Sequence, residues 1–261
     1  MAKFCSIYSS SSGNCTYVGC SSGGILIDVG VSAKKVESAL NGMGVDPSSI
    51  KGIFITHEHS DHINGVRVFA SRYNINVYAT KGTLDGMYEY GVFQKPINAY
   101  IIPEKGVECA GMRVIPFSTP HDSYESCGYK VITSEGKKIA VATDMGTITE
   151  CVADAVTGCD LVLLESNHDV NMLRMGGYPY FLKERILSDS GHLSNELCAG
   201  FAKHLVRNGT SRLILGHLSK ENNIPSLAYE TTKAALTESG FTEGKDYELT
   251  VAGDLNAPVS F

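Results

Sequence analysis

Ile53-Phe54-Ile55 runs directly into Thr56-His57-Glu58-His59-Ser60-Asp61-His62, and this junction restricts the chain more than any other stretch. The apolar run reads as a buried strand. A strand that stops abruptly in His-x-His-x-Asp-His sends three imidazoles and one carboxylate into a single turn, too many donors for one tetrahedral ion. Two metals are the natural reading. A lone histidine at a strand end is usually only a polar loop residue. Three at this spacing would repel one another whenever they protonated without a metal, so the cluster points to a metal centre.

Such a centre needs a rigid scaffold, and 261 residues with 43% hydrophobic content can bury a large core. No apolar run approaches a membrane span, and Met1-Ala2-Lys3-Phe4 enters a strand-like run without a signal-peptide core, so a cytoplasmic protein is expected. The eight cysteines are scattered, form no C-x-x-C pair and mostly adjoin apolar runs, which fits buried reduced thiols. A formal charge of −6 argues against a protein that coats nucleic acid electrostatically. A local phosphate site stays open, because bound divalent ions would offset that charge.

Along the chain, short strands are expected at Phe4 to Tyr8, Thr16 to Gly19 and Ile25 to Ile27. Ser9-Ser10-Ser11-Ser12-Gly13-Asn14 reads either as a hairpin turn or as a lip offering backbone N–H groups, with Asn14, to a substrate phosphate. Asp28 ends a strand before a helix that Ser32 caps, and it can also accept a hydrogen bond from a ligand histidine. Ile63 to Tyr73 reads as a helix, and Ile97 to Thr133 as several antiparallel strands, one of them ending at His121. Lys137 to Ala142 leads into Asp144, and the apolar run to Glu165 delivers Ser166-Asn167-His168-Asp169. The segment around 170–193 has poor periodicity and carries Arg174, Lys183 and Arg185; it is expected to cover the site. Ser194 caps a helix with Leu197, Phe201 and Leu205 on one face, and Arg212 to Leu215 precedes Gly216-His217-Leu218-Ser219-Lys220. No repeat or linker divides the chain, so a single α/β domain over 1–261, a layered sandwich, is expected.

The strand ends at Asp28, His57 to His62, His121, Asp144 and His217, taken in order, resemble the motifs of the metallo-β-lactamase fold hydrolases. The resemblance spans nearly the whole chain and implies a four-layer αββα sandwich. It implies that His57, His59 and His121 hold one metal, Asp61, His62 and His217 the other, and that Asp144 bridges both. Asp144 stands where true β-lactamases usually carry a cysteine, and His59 where flavodiiron enzymes carry a carboxylate, which disfavours both chemistries. Glu165-Ser166-Asn167-His168-Asp169, Gly191-His192-Leu193-Ser194-Asn195 and the run from His217 to Asn223 are similar to the YycJ (WalJ) group, which is associated with DNA 5′→3′ exonuclease activity.

Two divalent ions, zinc or manganese with iron as a further choice, would lower the pKa of a bridging water towards neutrality and so supply a hydroxide. Asp61 would orient that nucleophile, and His192, His168 or water would give a proton to the leaving oxygen. Asn14, His168, Lys183, Arg185 and Lys220 are the candidate substrate contacts, with DNA as the expected partner. A thioesterase or lactonase of glyoxalase II type, acting on a carbonyl with the same centre, is the alternative. A binding protein with a structural metal is a weaker third, given so complete a ligand set.

Overall fold

The computed structural model describes residues 2–94, 96–253 and 259–260. Its contacts divide the chain into two compact units, one formed by Met1–Pro116, Ser123–Lys137 and Gly253–Phe261, the other by Phe117–Asp122 and Lys138–Ala252.

In the first unit, β1 (Lys3–Ser10), β2 (Gly13–Cys20) and β3 (Gly23–Ile27) form an antiparallel meander, followed by helix α1 (Ala33–Gly42). Strands β4 (Ile50–Phe54), β5 (Asn76–Ala79) and β6 (Ala99–Ile101) then continue the sheet in parallel, β4 pairing with β3. Helices α2 (Ser60–Ile63), α3 (Val66–Tyr73) and α4 (Lys81–Glu89) fill the crossovers. The unit is completed by β7 (Val107–Cys109), antiparallel to β8 (Met112–Ser118), then β9 (Cys127–Ile132), and by β14 (Val259–Ser260) against β1. The change from antiparallel to parallel pairing falls at β3 and β4, with Ile27 opposite Phe54. Residues just past both strands therefore emerge at the same sheet edge, where open α/β sheets build sites.

The hairpin of β1 and β2 pairs as far as Ser10 and Gly13, leaving only Ser11 and Ser12 as its turn. Ser9 and Ser10 are buried in β1, and Ser11 and Ser12 are exposed in the expected hairpin turn. The helix expected over Ile63 to Tyr73 is broken at Gly65, whose N–H donates to Val29 O at 2.8 Å. A Cβ there would lie 2.1 Å from Val31 O, so only glycine allows this approach.

The second unit is built on four parallel strands, β10 (Lys138–Ala142), β11 (Leu161–Glu165), β12 (Arg212–Gly216) and β13 (Glu248–Val251), adjacent in that order. β11 is buried along its whole length, which is why it reads as an unbroken apolar run. Its crossovers hold α5 (Glu150–Val156), α6 (Val170–Met175), α7 (Tyr180–Leu187), α8 (Asn195–Arg207) and α9 (Pro225–Glu238). The segment around 170–193 is thus two short helices; with only Leu173 and Ile186 buried on them, they leave little periodic trace in the sequence. Ser194 does cap α8, its side chain accepting from Leu197 N. Leu197 is nevertheless exposed, and the buried face runs through Cys198, Ala202 and Leu205. His204 is exposed, its ring stacked on Phe201 with centroids 5.6 Å apart.

Among the described residues no helix is long and apolar enough to cross a membrane. None of the eight cysteines forms a disulfide, and six of them are buried. Burial pushes the Cys127 and Cys198 thiols up to about 12, and Cys5 and Cys109 to about 11. Because the thiolate is the reactive form, an alkylating reagent at neutral pH is expected to modify exposed Cys151 first, and these four only after denaturant is added. Peptide mass mapping of a short labelling pulse checks this, and early labelling of Cys127 would contradict it.

Candidate metal centre

In the first unit the donors leave the end of β4. Thr56 follows a buried run and donates both its N–H, to Asp28 Oδ1, and its hydroxyl, to Asp28 Oδ2, each at 2.8 Å. Asp28 itself sits at the end of β3 with φ of 60°, and its N–H donates to Phe54 O. His62 Nδ1 donates to Asp28 Oδ2 at 2.8 Å, and His57 Nδ1 lies 3.1 Å from the Thr56 hydroxyl. Burial pushes the Asp28 carboxyl up from its ordinary range, while His62 and Thr56 draw it partly back. The His57 ring lies 4.0 Å from that of His62 and 4.6 Å from that of His59, centroid to centroid.

Asp61 is partly exposed, with Oδ2 3.4 Å from His62 Nε2. Asn14, a candidate substrate contact from the sequence, is buried instead among these donors: its Nδ2 is 3.0 Å from His62 Nε2 and 3.3 Å from Asp61 Oδ2. Gly30 lets the loops close this tightly, since a Cβ there would fall 1.5 Å from Asp61 O. Glu58 is buried between two of the histidines in sequence, and its Oε1 accepts from Tyr124 N at 3.0 Å.

In the second unit, Asp144, Glu165 and His217 sit at the carboxyl ends of β10, β11 and β12. Single donor atoms from Asp144, Glu165, His192 and His217 all lie within 4.8 Å of one another. Glu165 is fully buried and accepts from four groups: His192 Nδ1 at 2.7 Å, His217 Nδ1 at 2.9 Å, Met145 N at 2.8 Å and Leu193 N at 3.4 Å. Burial alone would raise its carboxyl, but the two imidazoles outweigh that and hold it well below the ordinary range. Asp144 Oδ1 lies 3.4 Å from His217 Nδ1 and 4.0 Å from His121 Nε2. His121 donates through Nδ1 to Gly191 O, and burial lowers its pKa.

Asp28, Asp144 and His217 all adopt left-handed backbone, with φ of 60°, 60° and 54°. Such conformations persist in residues other than glycine only where the surroundings impose them, and they gather at functional sites. Around His217 the imposing contacts are visible: Asn167 Nδ2 donates to His217 O, and Asn223 Nδ2 donates to the carbonyls of Ser166 and Asn167. Asn195 and Asn223 pair amide to amide, and Ser166 Oγ donates to Asn195 Oδ1. Three separate sequence stretches thereby become one buried network under the strand ends.

These donors fit a divalent cation. His62, His121 and His217 each donate through Nδ1 to an oxygen acceptor, and His57 Nδ1 faces a hydroxyl, which puts the proton on Nδ1 and the lone pair, the form a metal takes, on Nε2. Imidazole with carboxylate suits zinc, manganese or iron.

Other sequence candidates lie differently. His168 is 1% exposed, neither ring nitrogen has a hydrogen-bond partner among the described residues, and its backbone carbonyl accepts from Asn195 N. Lys183 Nζ donates to Arg174 O at 2.7 Å, and Arg185 forms a two-pronged pair with Asp122. Lys220 is exposed. The residue that sequence reasoning left without a role is Glu165. Its signal was a lone carboxylate closing an all-apolar strand, where only partnered charge is tolerated.

Burial lowers the His168 pKa to about 4 from 6.5, so between those values the unfolded chain binds a proton that the folded one refuses. Folding stability should fall as pH drops from 6.5 towards 4, by about 3 kcal/mol at most from this group. Urea midpoints at both ends of that range are expected to differ less in His168→Leu than in the parent; an unchanged difference would exclude His168 as the source.

A family model described as "Beta-lactamase superfamily domain" matches residues 24–218. The chain is 36% identical over 248 residues to "Exodeoxyribonuclease YycJ" of Bacillus anthracis, covering 94% of this chain and 93% of that protein. It is 37% identical over 250 residues to "Exodeoxyribonuclease WalJ" of Streptococcus pneumoniae, covering 95% and 93%. The crystal structure of the metallo-β-lactamase fold protein YhfI from Bacillus subtilis aligns over the full length of both chains with a TM-score of 0.75 at 14% identity, a likeness of fold. Mixed sheets flanked by helices, full-length relatives and donors at successive strand ends agree: the chain belongs to the β-lactamase superfamily, with the metallo-β-lactamase α/β sandwich fold and its implied divalent metals, in the same hydrolase group as YycJ and WalJ.

Proposed function

We propose that this hydrolase is a DNA exonuclease acting 5′→3′, with two metal ions per chain, zinc or manganese. The full-length likeness to two proteins named exodeoxyribonucleases carries the reading. His57, His59, Asp61, His62, His121, Asp144 and His217 are the residues that would hold the ions. When bound, such ions supply an activated water and neutralise charge on a phosphoryl group.

The chain's own residues do the rest. Asp28 and Glu165 keep protons on the Nδ1 atoms of His62 and His217 and so put the lone pair on Nε2 of each ring. Asp61, being partly exposed, can orient the attacking water. His192, also partly exposed and hydrogen-bonded through Nδ1 to Glu165, can when protonated donate from Nε2 to the leaving oxygen. We treat 1–261 as one catalytic domain whose 170–193 segment, with Lys220, meets the substrate. Eight cysteines without a disulfide accord with a reducing, cytoplasmic compartment.

The test is a substrate panel: 5′-phosphorylated duplex and single-stranded DNA, a thioester and a lactone, each with added zinc or manganese. Release of nucleotides from 5′ ends is expected, with elemental analysis giving two ions per chain. Thioester turnover without DNA cleavage would assign the centre to a small-molecule hydrolase, and one ion at saturation would remove the dinuclear mechanism.

A further inference from the structure

Helices α6 and α7 carry a surface that neither the core nor the metal donors account for. Met175, Tyr180 and Phe181 are 88%, 75% and 73% exposed, an unusual concentration of large apolar side chains on one short segment. Beside them lies a cavity of about 520 Å³, lined by Arg174, Tyr178, Tyr180, Lys183, Glu184 and Leu187. The bond from Lys183 Nζ to Arg174 O ties α7 to the end of α6 and gives the cavity a fixed wall. The side chain of Arg174 is exposed and makes no ion pair among the described residues.

We propose that this pocket binds an unpaired nucleotide of a nucleic-acid strand, its base stacked on Tyr178 and Tyr180 and its phosphate met by Arg174 and Lys183. The proposal rests on the nuclease reading above and adds the strand form and the groups that grip it. Three features favour this occupant. The volume falls within the range of small-molecule sites. Two cations against one carboxylate, Glu184, leave the rim positive, which suits a polyanion better than an apolar peptide. Tyrosine rings beside free guanidinium are the groups that hold single strands, and stacking tolerates every base, as an enzyme that advances along DNA requires. Arg185 adds nothing here, because Asp122 already neutralises it.

The test uses the full chain and a fluorescent single-stranded oligonucleotide with phosphorothioate linkages, which resists hydrolysis. In the double variant Tyr178→Leu with Tyr180→Leu, affinity by anisotropy should weaken about 10- to 100-fold at an unchanged thermal midpoint. The corresponding Phe double variant, which keeps both rings, should restore it. An abasic terminal position should cost the parent a similar factor and the Leu variant nothing further. Parent-like binding by the Leu variant, in a protein that still degrades DNA, overturns the pocket and leaves the nuclease reading standing. A parent that neither binds nor degrades DNA overturns both. A Leu variant that binds DNA normally but changes the sedimentation of the protein makes the patch a contact between copies of this chain, which also overturns the proposal.

Discussion

Asp144→Ala is expected to lower DNA degradation by about a thousandfold or more, the scale on which removal of an essential active-site charge acts. Asp144 is buried, and its Oδ1 lies 3.4, 3.9 and 4.0 Å from nitrogens of His217, His192 and His121. Loss of that carboxylate leaves these imidazoles with less negative charge to offset a cation or their own protons. The fold should survive, because Asp144 lies in the turn after β10 rather than in the strand, and Glu165 still holds His192 and His217. Alanine is less at ease than aspartate at φ of 60°, so a loss of about 1 kcal/mol is expected from the backbone alone. Asp144→Asn avoids that strain and serves as the control: similar inactivity at near-parental stability separates charge from backbone. Both variants should retain less metal on dialysis. Turnover close to that of the parent in either would remove Asp144 from the centre.

Glu165→Ala should be the most destabilising single change at the site. The carboxylate is fully buried and accepts four hydrogen bonds, two of them from imidazoles. Removing one partner of a buried polar pair costs about 3–5 kcal/mol, because the other is left without compensation. Glu165→Gln keeps the volume but turns one oxygen into a donor, which then opposes either the ring N–H groups or the N–H of Met145. Metal affinity should fall about 10- to 100-fold in the Gln protein, the usual price of disturbing the partner of a ligand histidine. The carboxyl is held below its ordinary value of 4.5, so its contribution is complete above that pH and is lost as pH falls further. Urea unfolding and competition with a chelating dye measure the two effects. Parental values of both in the Ala protein would mean that Glu165 orients nothing.

Much of this centre was legible in the residue order, for a physical reason: donors placed directly after apolar runs must leave the ends of buried strands. His57 to His62, Asp144 and His217 follow that rule, and each is found just past the end of β4, β10 or β12. Asp28 is likewise the first residue beyond β3, held there by bonds to Thr56 and His62. Periodicity failed where burial is thin, as in α6 and α7, and where one glycine meets a neighbouring backbone, as at Gly65.

By itself the sequence determined the class of chemistry, because three histidines and an aspartate in six residues admit few uses other than a metal. It also determined the family, since its motifs recur in order along the whole chain. Only the tertiary structure decided how the donors are held. Parallel pairing brings β10, β11 and β12 to a common edge, so Glu165 meets His192 and His217 across 27 and 52 residues of chain. The Asn167, Asn195 and Asn223 amides likewise find one another only once β11, α8 and the turn after β12 have packed. Hydrogen bonds between residues so far apart leave no local pattern of propensity or period, which is why the carboxylate that orients two histidines reads in sequence as nothing more than the end of a strand.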